Sequence, residues 1–197
     1  MKINGNLIAD VYECNEDLEV TGFIQIKTSL KVSGSIEAGG SIEAGESIEA
    51  GWSIKAGGSI EAGGYIKAGG YIKAGWSIKA GEFIEAGESI EAGEFIEAGE
   101  SIEAGESIEA GRSIEAGGFI KAGGFIEAGE FIEAGWSIKA GGSIKAGGSI
   151  EAGGCLGIFA GLHIKISEWN LYAKVISKTK PKNLISGFWE ELKKGEK

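Results

Sequence analysis

The chain is dominated by a six-residue repeat. Ile recurs at every sixth position from Ile36 to Ile150 without an insertion, which gives twenty consecutive hexads. In each hexad Ile is followed by Glu or Lys, by Ala and by Gly. A variable residue (Gly, Glu, Trp or Arg) and then Ser, Phe or Tyr complete the unit. Self-similarity at a short fixed period is the signature of a solenoid, so this repeat constrains the fold more than any other feature.

The hexad alternates apolar and charged residues in the manner of a strand with one buried face. Ile and Ala are expected to point inward, whereas Glu or Lys and the residue before Ile are expected to point outward. Gly39, Gly45 and their equivalents fall where the chain must turn, and we attribute them to a positive φ, which Gly adopts without a steric penalty. A helix is disfavoured, because each Gly would cost it ~1 kcal/mol.

Three hexads close a triangular turn of 18 residues, in which each strand stacks on its equivalent about 4.8 Å from the last. The sequence therefore predicts an all-β fold, a parallel β-helix (solenoid) of triangular section with about 18 residues per turn. Related patterns begin at Leu18 and Leu30, and Leu156 and Leu162 keep the register of Ile. The solenoid is therefore expected to run from about residue 7 to about residue 166.

The chain divides into three segments. Residues 1–34 are expected to form degenerate rungs and an N-terminal cap, and residues 35–154 the regular solenoid. Residues 155–197 are expected to form the last rungs and a basic C-terminal cap. Amphipathic helical spacing predicts a short helix near residues 183–194, which either covers the open end or docks a partner. The apolar positions of that pattern are Leu184, Ile185, Phe188, Trp189 and Leu192.

Composition excludes several classes of function. The formal charge of −10 argues against direct binding to nucleic acid or to an anionic membrane. No apolar run resembles a membrane span or a signal peptide, so the expected location is the cytoplasm. Cys14 and Cys155 are too few for a disulfide framework or a zinc site, so no metal or cofactor is expected. His163 is the single His and has no candidate nucleophile beside it, so the chain is not expected to be an enzyme.

The outward charges are concentrated in glutamates. Folding three hexads per turn places one file along the rod, interrupted by Lys79, that contains Glu43, Glu61, Glu97, Glu115, Glu133 and Glu151. Glu is also frequent at the variable position in the middle of the repeat, at Glu82, Glu88, Glu94, Glu100 and Glu106. Neighbouring carboxylates repel one another. They serve either to keep a rod soluble or to bind a partner with a basic surface.

Aromatic residues replace Ser before Ile, or occupy the variable position. Those singled out as partner-binding candidates are Trp52, Tyr65, Tyr71, Trp76, Phe83, Phe119 and Trp136. Exposed rings would serve as interface anchors. Stacking between rings of adjacent turns is the alternative.

The repeat resembles that of hexapeptide-type parallel β-helices, and its G-S-I-E-A steps resemble the polymer-forming β-helices of the bactofilin family. The second resemblance implies a self-assembling scaffold. Left-handed hexapeptide helices place a small residue four positions after the aliphatic one. Here Ala lies two positions after it, so the hand of the coil stays open. Similar acyltransferases use a catalytic His and an extruded loop, and the hexads contain neither.

By analogy, an acidic rod is similar to the pentapeptide-repeat solenoids that inhibit gyrase as DNA mimics, and to phage inhibitors of host defence nucleases. This similarity implies a non-enzymatic binding protein that engages a basic groove of a nucleic-acid-binding protein, in the host cytoplasm if a phage encodes it. The alternative is a self-assembling structural protein, as a homodimer or a larger homo-oligomer.

Overall fold

The chain is a parallel β-solenoid of about ten turns. The computed structural model describes residues 1–153, 156–162 and 164–192. Its strands are distributed over three parallel sheets, and each regular turn contributes one strand to each sheet. Equivalent residues in adjacent turns, such as Ile54 and Ile72, are 18 positions apart. The predicted triangular solenoid with 18 residues per turn is confirmed.

The three sheets are numbered in the order in which the chain meets them. Sheet 1 contains Lys2–Ile3, Leu18–Val20, Ile36–Ala38, Ile54–Ala56, Ile72–Ala74, Ile90–Ala92, Ile108–Ala110, Ile126–Ala128, Ile144–Ala146, Lys174–Ser177 and Phe188–Glu191. Sheet 2 contains Leu7–Ala9, Ile24–Ile26, Ile42–Ala44, Ile60–Ala62, Ile78–Ala80, Phe95–Ala98, Ser113–Ala116, Phe131–Ala134 and Ile150–Ala152. Sheet 3 contains Tyr12–Cys14, Leu30–Val32, Ile48–Ala50, Ile66–Ala68, Phe83–Ala86, Ser101–Ala104, Phe119–Ala122, Ser137–Ala140, Gly157–Phe159 and Leu184–Ser186.

The core consists of ladders of Ile and Ala, as the alternation predicted. Between Ile36 and Ala152 each Ile of the repeat is at most 2% exposed and each Ala at most 7%. Full burial of one such Ile contributes about 1.5–3 kcal/mol relative to an exposed one. Because the same two residues fill every turn, the interior is almost identical along the shaft.

The Gly that follows Ala is required for a reason other than the predicted one. The described residues with positive φ are Gly5, Gly157, Gly161 and Gly187, none of which belongs to the regular hexads. The attribution of the hexad Gly to positive φ was therefore wrong. A Cβ on Gly45 or Gly99 would instead lie under 3.0 Å from the carbonyl oxygen of the residue 18 positions earlier. Close stacking of successive turns, rather than backbone twist, excludes a side chain there.

The regular register ends after Ala152. Leu156 and Leu162 are exposed, and Ile158 takes the inward position opposite Ile138. The prediction that Leu156 and Leu162 continue the Ile register was therefore wrong. Two extra residues precede the next strand, and Gly157 has a φ of 74°. The solenoid itself extends further than predicted at both ends, from Lys2–Ile3 to Phe188–Glu191.

The prediction of a helix near residues 183–194 was also wrong. A short α-helix is present near the C-terminus, but it spans Trp169–Tyr172, after a 3-10 turn at Ile166–Glu168. Leu184–Ser186 and Phe188–Glu191 are strands that extend sheets 3 and 1. The edges of those sheets supply backbone partners, such as the Ala173 carbonyl, which accepts from the Phe188 N–H at 2.9 Å. Residues 193–194 of that prediction lie outside the described residues.

Candidate binding surface: the outer face of sheet 2 and its edges

The outward residues of sheet 2 form a single column. We call seven of them the acidic file: Glu43, Glu61, Lys79, Glu97, Glu115, Glu133 and Glu151. Each is the register partner of the next, so the six predicted glutamates lie in consecutive turns apart from Lys79. The 18-residue turn, and nothing in the core, brings these side chains together.

The equivalent columns of sheets 1 and 3 are nearly neutral. Sheet 1 has four Glu and three Lys, at Glu37, Lys55, Lys73, Glu91, Glu109, Glu127 and Lys145. Sheet 3 has three Glu and four Lys, at Lys31, Glu49, Lys67, Glu85, Glu103, Lys121 and Lys139. Six Glu and one Lys on sheet 2 therefore set one face of the rod apart from the other two.

Ion pairs follow the same division. On sheets 1 and 3, lysines contact glutamates of the adjacent turn, as in Lys55 with Glu37 at 2.7 Å and Lys67 with Glu85 at 3.0 Å. Within the acidic file, the one ion pair that the described residues contain joins Lys79 Nζ and Glu97 Oε2 at 3.3 Å. The remaining glutamates of the file have no such partner in that part of the chain. Their charge is therefore left to act on whatever approaches sheet 2.

Glu115 shows the mutual effect of these charges. Burial raises the pKa of the Glu115 carboxyl above its ordinary 4.5, and the negative charges of Glu97 and Glu133 raise it further. Desolvation and like-charge repulsion both disfavour an ionised carboxyl. The file therefore holds carboxylates that a cationic partner would stabilise.

The three edges of the triangle carry the other predicted residues. Residues 39–41 and their equivalents form the sheet 1/2 edge, residues 45–47 the sheet 2/3 edge, and residues 51–53 the sheet 3/1 edge. The five glutamates at the variable position are divided among them. Glu82 and Glu100 lie at the sheet 2/3 edge, and Glu94 lies at the sheet 1/2 edge. Glu88 and Glu106 lie at the sheet 3/1 edge, away from the acidic file.

The predicted aromatic residues do not form one patch. Trp52 and Tyr71 lie at the sheet 3/1 edge, and Trp76 lies at the sheet 1/2 edge. Four lie at the sheet 2/3 edge, namely Tyr65, Phe83, Phe119 and Trp136. Both alternatives considered for the rings occur. Trp52, Trp76 and Trp136 are 68%, 66% and 58% exposed, whereas Tyr65 and Phe83 stack with ring centroids 4.9 Å apart.

Sequence reasoning missed the contacts of Arg112 at the sheet 1/2 edge. Its guanidinium carbon lies 4.8 Å from the ring centroid of Phe95, and its Nε donates to Glu130 Oε1 at 3.1 Å. The ring belongs to the preceding turn and the carboxylate to the following one. Writing the sequence in rows of 18 residues would have revealed this arrangement, because it places all three residues in adjacent rows.

Two grooves lie at the sheet 2/3 edge. One, of about 530 Å³, is lined by Glu46, Gly64, Tyr65 and Glu82 among others. The second, of about 260 Å³, is lined by residues that include Glu100, Gly118, Phe119 and Trp136. In both grooves a Gly at the variable position leaves a gap between larger side chains of neighbouring turns. These gaps were not predicted from the sequence.

No arrangement typical of metal binding occurs in the described ranges, where no group of three or more His, Cys, Asp or Glu side chains could hold an ion. Cys14 is half-buried against the core, and its Sγ donates to the Glu16 carbonyl at 2.9 Å. Cys155 and His163 lie outside the described residues. Within residues 1–153, 156–162 and 164–192, no helix is long and apolar enough to cross a bilayer.

The fold and its surface define a parallel β-solenoid with one acidic face and two nearly neutral faces. Comparison with protein-family models, with curated proteins and with solved structures found no match to the chain.

Proposed function

We propose that the chain is a non-enzymatic binding protein whose acidic sheet 2 docks in the basic groove of a nucleic-acid-binding protein, as a nucleic-acid mimic. In this proposal it acts in the cytoplasm, or in the host cytoplasm if a phage encodes it, and it needs no cofactor. The observation that carries the proposal is the acidic file, with six Glu and one Lys on one face of a rod whose other faces are balanced.

The spacing of the file supports mimicry of a phosphate backbone. Strands of adjacent turns are about 4.8 Å apart, and a strand of B-DNA carries one phosphate for roughly each 3.4 Å of helix axis. A groove whose Lys and Arg side chains bind successive phosphates would meet carboxylates at comparable intervals. Phosphate contacts supply most of the non-specific affinity of such grooves, so an acidic rod can compete without reproducing any base.

Rigidity supports the same conclusion. The glutamates of the file lie on strands with buried Ile and Ala side chains, so the core fixes the backbone positions from which the carboxylates extend. A preorganised charge array loses little conformational entropy when it docks. The shaft therefore presents its charges in one fixed order to a complementary surface.

The test is affinity capture with two matched triple variants. The first changes Glu97, Glu115 and Glu133 on sheet 2 to Gln. The second changes Glu91, Glu109 and Glu127 of sheet 1, in the same three turns, to Gln. Both remove three negative charges. The sheet 1 variant breaks two ion pairs, with Lys73 and Lys145, and the sheet 2 variant breaks one, with Lys79.

We expect the sheet 1 variant to retain nucleic-acid-binding proteins from a cell lysate and the sheet 2 variant to lose them. Added duplex DNA should release the captured proteins from the parent chain. Equal capture by both variants, or capture that DNA does not affect, would contradict the proposal.

Self-assembly into a scaffold is the second candidate. It is favoured by the apolar residues that the first turn leaves partly or fully exposed. Ile8 and Val11 are exposed, and the inward-facing Ile3 and Leu7 are only half-buried. Light scattering over a hundredfold range of concentration tests this candidate. A mass that rises with concentration supports it, and a mass that stays at 20.4 kDa contradicts it.

A further inference from the structure

The sheet 2/3 edge contains two notches of similar construction. In the first, Gly64 lies between Glu46 and Glu82 of the adjacent turns, beside the Tyr65 ring. Backbone hydrogen bonds hold these turns in register, and the Glu82 N–H donates to the Gly64 carbonyl at 2.8 Å. Because Gly64 has no side chain, a gap remains between two carboxylates and next to an aromatic ring.

The second notch repeats the first three turns further along. Gly118 lies between Glu100 and Trp136, beside Phe119. The Trp136 N–H donates to the Gly118 carbonyl at 2.8 Å, so the backbone arrangement is the same. Both notches thus combine a missing side chain, a carboxylate one turn away and an aromatic ring of the same turn.

The chain itself shows which group fits such a site. Arg112 occupies the variable position at the neighbouring sheet 1/2 edge, in the turn that contains Gly118. Its guanidinium lies over the Phe95 ring and is paired with Glu130. A planar guanidinium can stack on a ring and bind a carboxylate at the same time, which an ammonium does less well. The Gly64 and Gly118 notches also offer a ring and a carboxylate, without the arginine. Their ring directly follows the Gly in the same turn, whereas Phe95 belongs to the turn before Arg112, and one face of the Tyr65 ring is stacked on Phe83.

We propose that the sheet 2/3 edge takes two arginine side chains of a protein partner, one in the Gly64 notch and one in the Gly118 notch. The inference rests on the proposed function, since it assumes a basic partner on the adjoining sheet 2. Three turns separate the notches by roughly 14 Å at the spacing of parallel strands. An extended segment places residues i and i+4 on one face about 13 Å apart, so Arg-x-x-x-Arg spans both notches.

The sheet 3/1 edge repeats these elements, at Gly70 with Tyr71 and Glu88 and at Gly124 with Phe125 and Glu106, but it lies away from the acidic file. The groove beside Tyr71 at that edge is lined by Lys73, whose Nζ is 2.8 Å from Glu91. A cation of the chain is thus already paired there. In the described residues no Lys or Arg forms an ion pair with Glu82 or Glu100, and the same holds for Glu88 and Glu106 at the sheet 3/1 edge. The sheet 2/3 edge differs because it adjoins the acidic file, where the proposed basic partner docks.

The test uses two nine-residue Gly/Ser peptides, one with Arg at positions 3 and 7 and its twin with Lys at both positions. Binding to the full chain is followed by NMR titration in low-salt buffer. We expect the Arg peptide to bind about threefold to tenfold more tightly than its Lys twin, and to shift the amide signals of Gly64 and Gly118.

Three variants of the chain complete the design. Gly64→Arg and Gly118→Arg fill a notch with the chain's own guanidinium, which Arg112 shows the variable position can hold. Gly148→Arg makes the same change at the sheet 1/2 edge, where Ser149 stands in place of a ring and Glu130 is already paired with Arg112, with the same gain of one positive charge. We expect each notch variant to weaken Arg-peptide binding about threefold or more, and Gly148→Arg to weaken it less than about twofold.

Equal binding of the two peptides, or an equal loss in all three variants, overturns the notch assignment. Either result leaves electrostatic docking on sheet 2 standing. If neither peptide binds the parent chain measurably more tightly than it binds the sheet 2 Glu→Gln triple variant, both the notches and the proposed function fail.

Discussion

The outer face of sheet 2 and the outer faces of sheets 1 and 3 are built on the same skeleton but differ in charge. All three present a short strand whose inward Ile and Ala are buried, and all three are stacked at 18-residue intervals. Sheets 1 and 3 mix Lys with Glu and pair them across turns, whereas sheet 2 has one Lys among seven positions.

The difference separates what the fold requires from what it permits. Since sheets 1 and 3 fold with balanced charges, the solenoid does not need a run of carboxylates on any face. Repulsion between carboxylates directly opposite each other on neighbouring strands destabilises a sheet. The proposed docking of a basic partner on sheet 2 would account for a feature that costs stability and that the core does not require.

The largest expected effect tests whether the three sheets really share one skeleton. Gly99→Ala, Gly105→Ala and Gly111→Ala each place a Cβ under 3.0 Å from a carbonyl oxygen of the preceding turn, one at each edge of the triangle. We expect each to lower the free energy of unfolding by about 3 kcal/mol, because the backbones must move apart. Urea denaturation measures the loss. If the substitution at one edge costs much less than at the other two, the three sheets are not equivalent.

A neighbouring pair of glycines provides the control for that experiment. A Cβ on Gly141 would overlap the Gly123 carbonyl, whereas one on Gly142 would lie 3.3 Å from the Gly124 carbonyl oxygen. Gly141→Ala should therefore behave like the three variants above. Gly142→Ala should cost less than about 1 kcal/mol, as surface substitutions usually do.

A smaller effect is expected from reversing one charge on each of two faces. Lys67 on sheet 3 lies between Glu49 and Glu85, and Lys79 on sheet 2 lies between Glu61 and Glu97. Either Lys→Glu change should cost about 1 kcal/mol, because it removes an ion pair and adds a like charge. Lys79→Glu should cost more, since it joins the two parts of the acidic file.

Salt distinguishes this explanation from a local packing effect. Both side chains are exposed, so their interactions are screened at high ionic strength. The two variants should differ in the free energy of unfolding that they lose, as measured by urea denaturation. This difference should be smaller in about 1 M salt than at low salt. If Lys79→Glu is no more destabilising than Lys67→Glu at low salt, the acidic file does not accumulate repulsion.

The smallest effect concerns pH. Because the pKa of Glu115 is raised in the folded chain, its contribution to stability is fully present below the ordinary pKa of 4.5 and is lost as the pH rises through the raised value. Glu115→Gln should therefore stabilise the fold at pH 7 by about 0.5 kcal/mol. The gain should disappear near pH 4, as thermal unfolding across that range would show.

Glu109→Gln is the matched variant on sheet 1. Glu109 also lies between two glutamates, but Glu91 and Glu127 are paired with Lys73 and Lys145. Glu109→Gln should therefore change the free energy of unfolding at pH 7 less than Glu115→Gln does. An equal gain from both substitutions would show that the surroundings of sheet 2 are not special.

The sequence predicted the core and the charged columns of the shaft well, because both are determined by one period. Once three hexads make a turn, the inward Ile and Ala and the column from Glu43 to Glu151 follow from the number of residues per turn. The prediction failed where that number changes. Leu156 keeps the six-residue spacing but is exposed, since two extra residues shift the inward position to Ile158.

The other failures have local causes. The apolar spacing around Phe188 and Trp189 fits a helix as well as a strand, and only the neighbouring sheet edge decides between them. The hexad Gly could be required either by a positive φ or by the close stacking of successive turns, and the sequence does not distinguish the two. The notches at Gly64 and Gly118 depend on which residues lie one turn away, so they appear only when the stacking is known.

The most direct test of the central claim is the affinity of one captured partner for the two triple variants, measured at a single salt concentration with duplex DNA as competitor. The account predicts at least about a tenfold loss of affinity when Glu97, Glu115 and Glu133 of sheet 2 become Gln. It predicts less than about a twofold loss when Glu91, Glu109 and Glu127 of sheet 1 become Gln. Duplex DNA should displace the parent chain from the partner. Equal losses from the two faces would contradict it, because net charge rather than the acidic file would then direct binding.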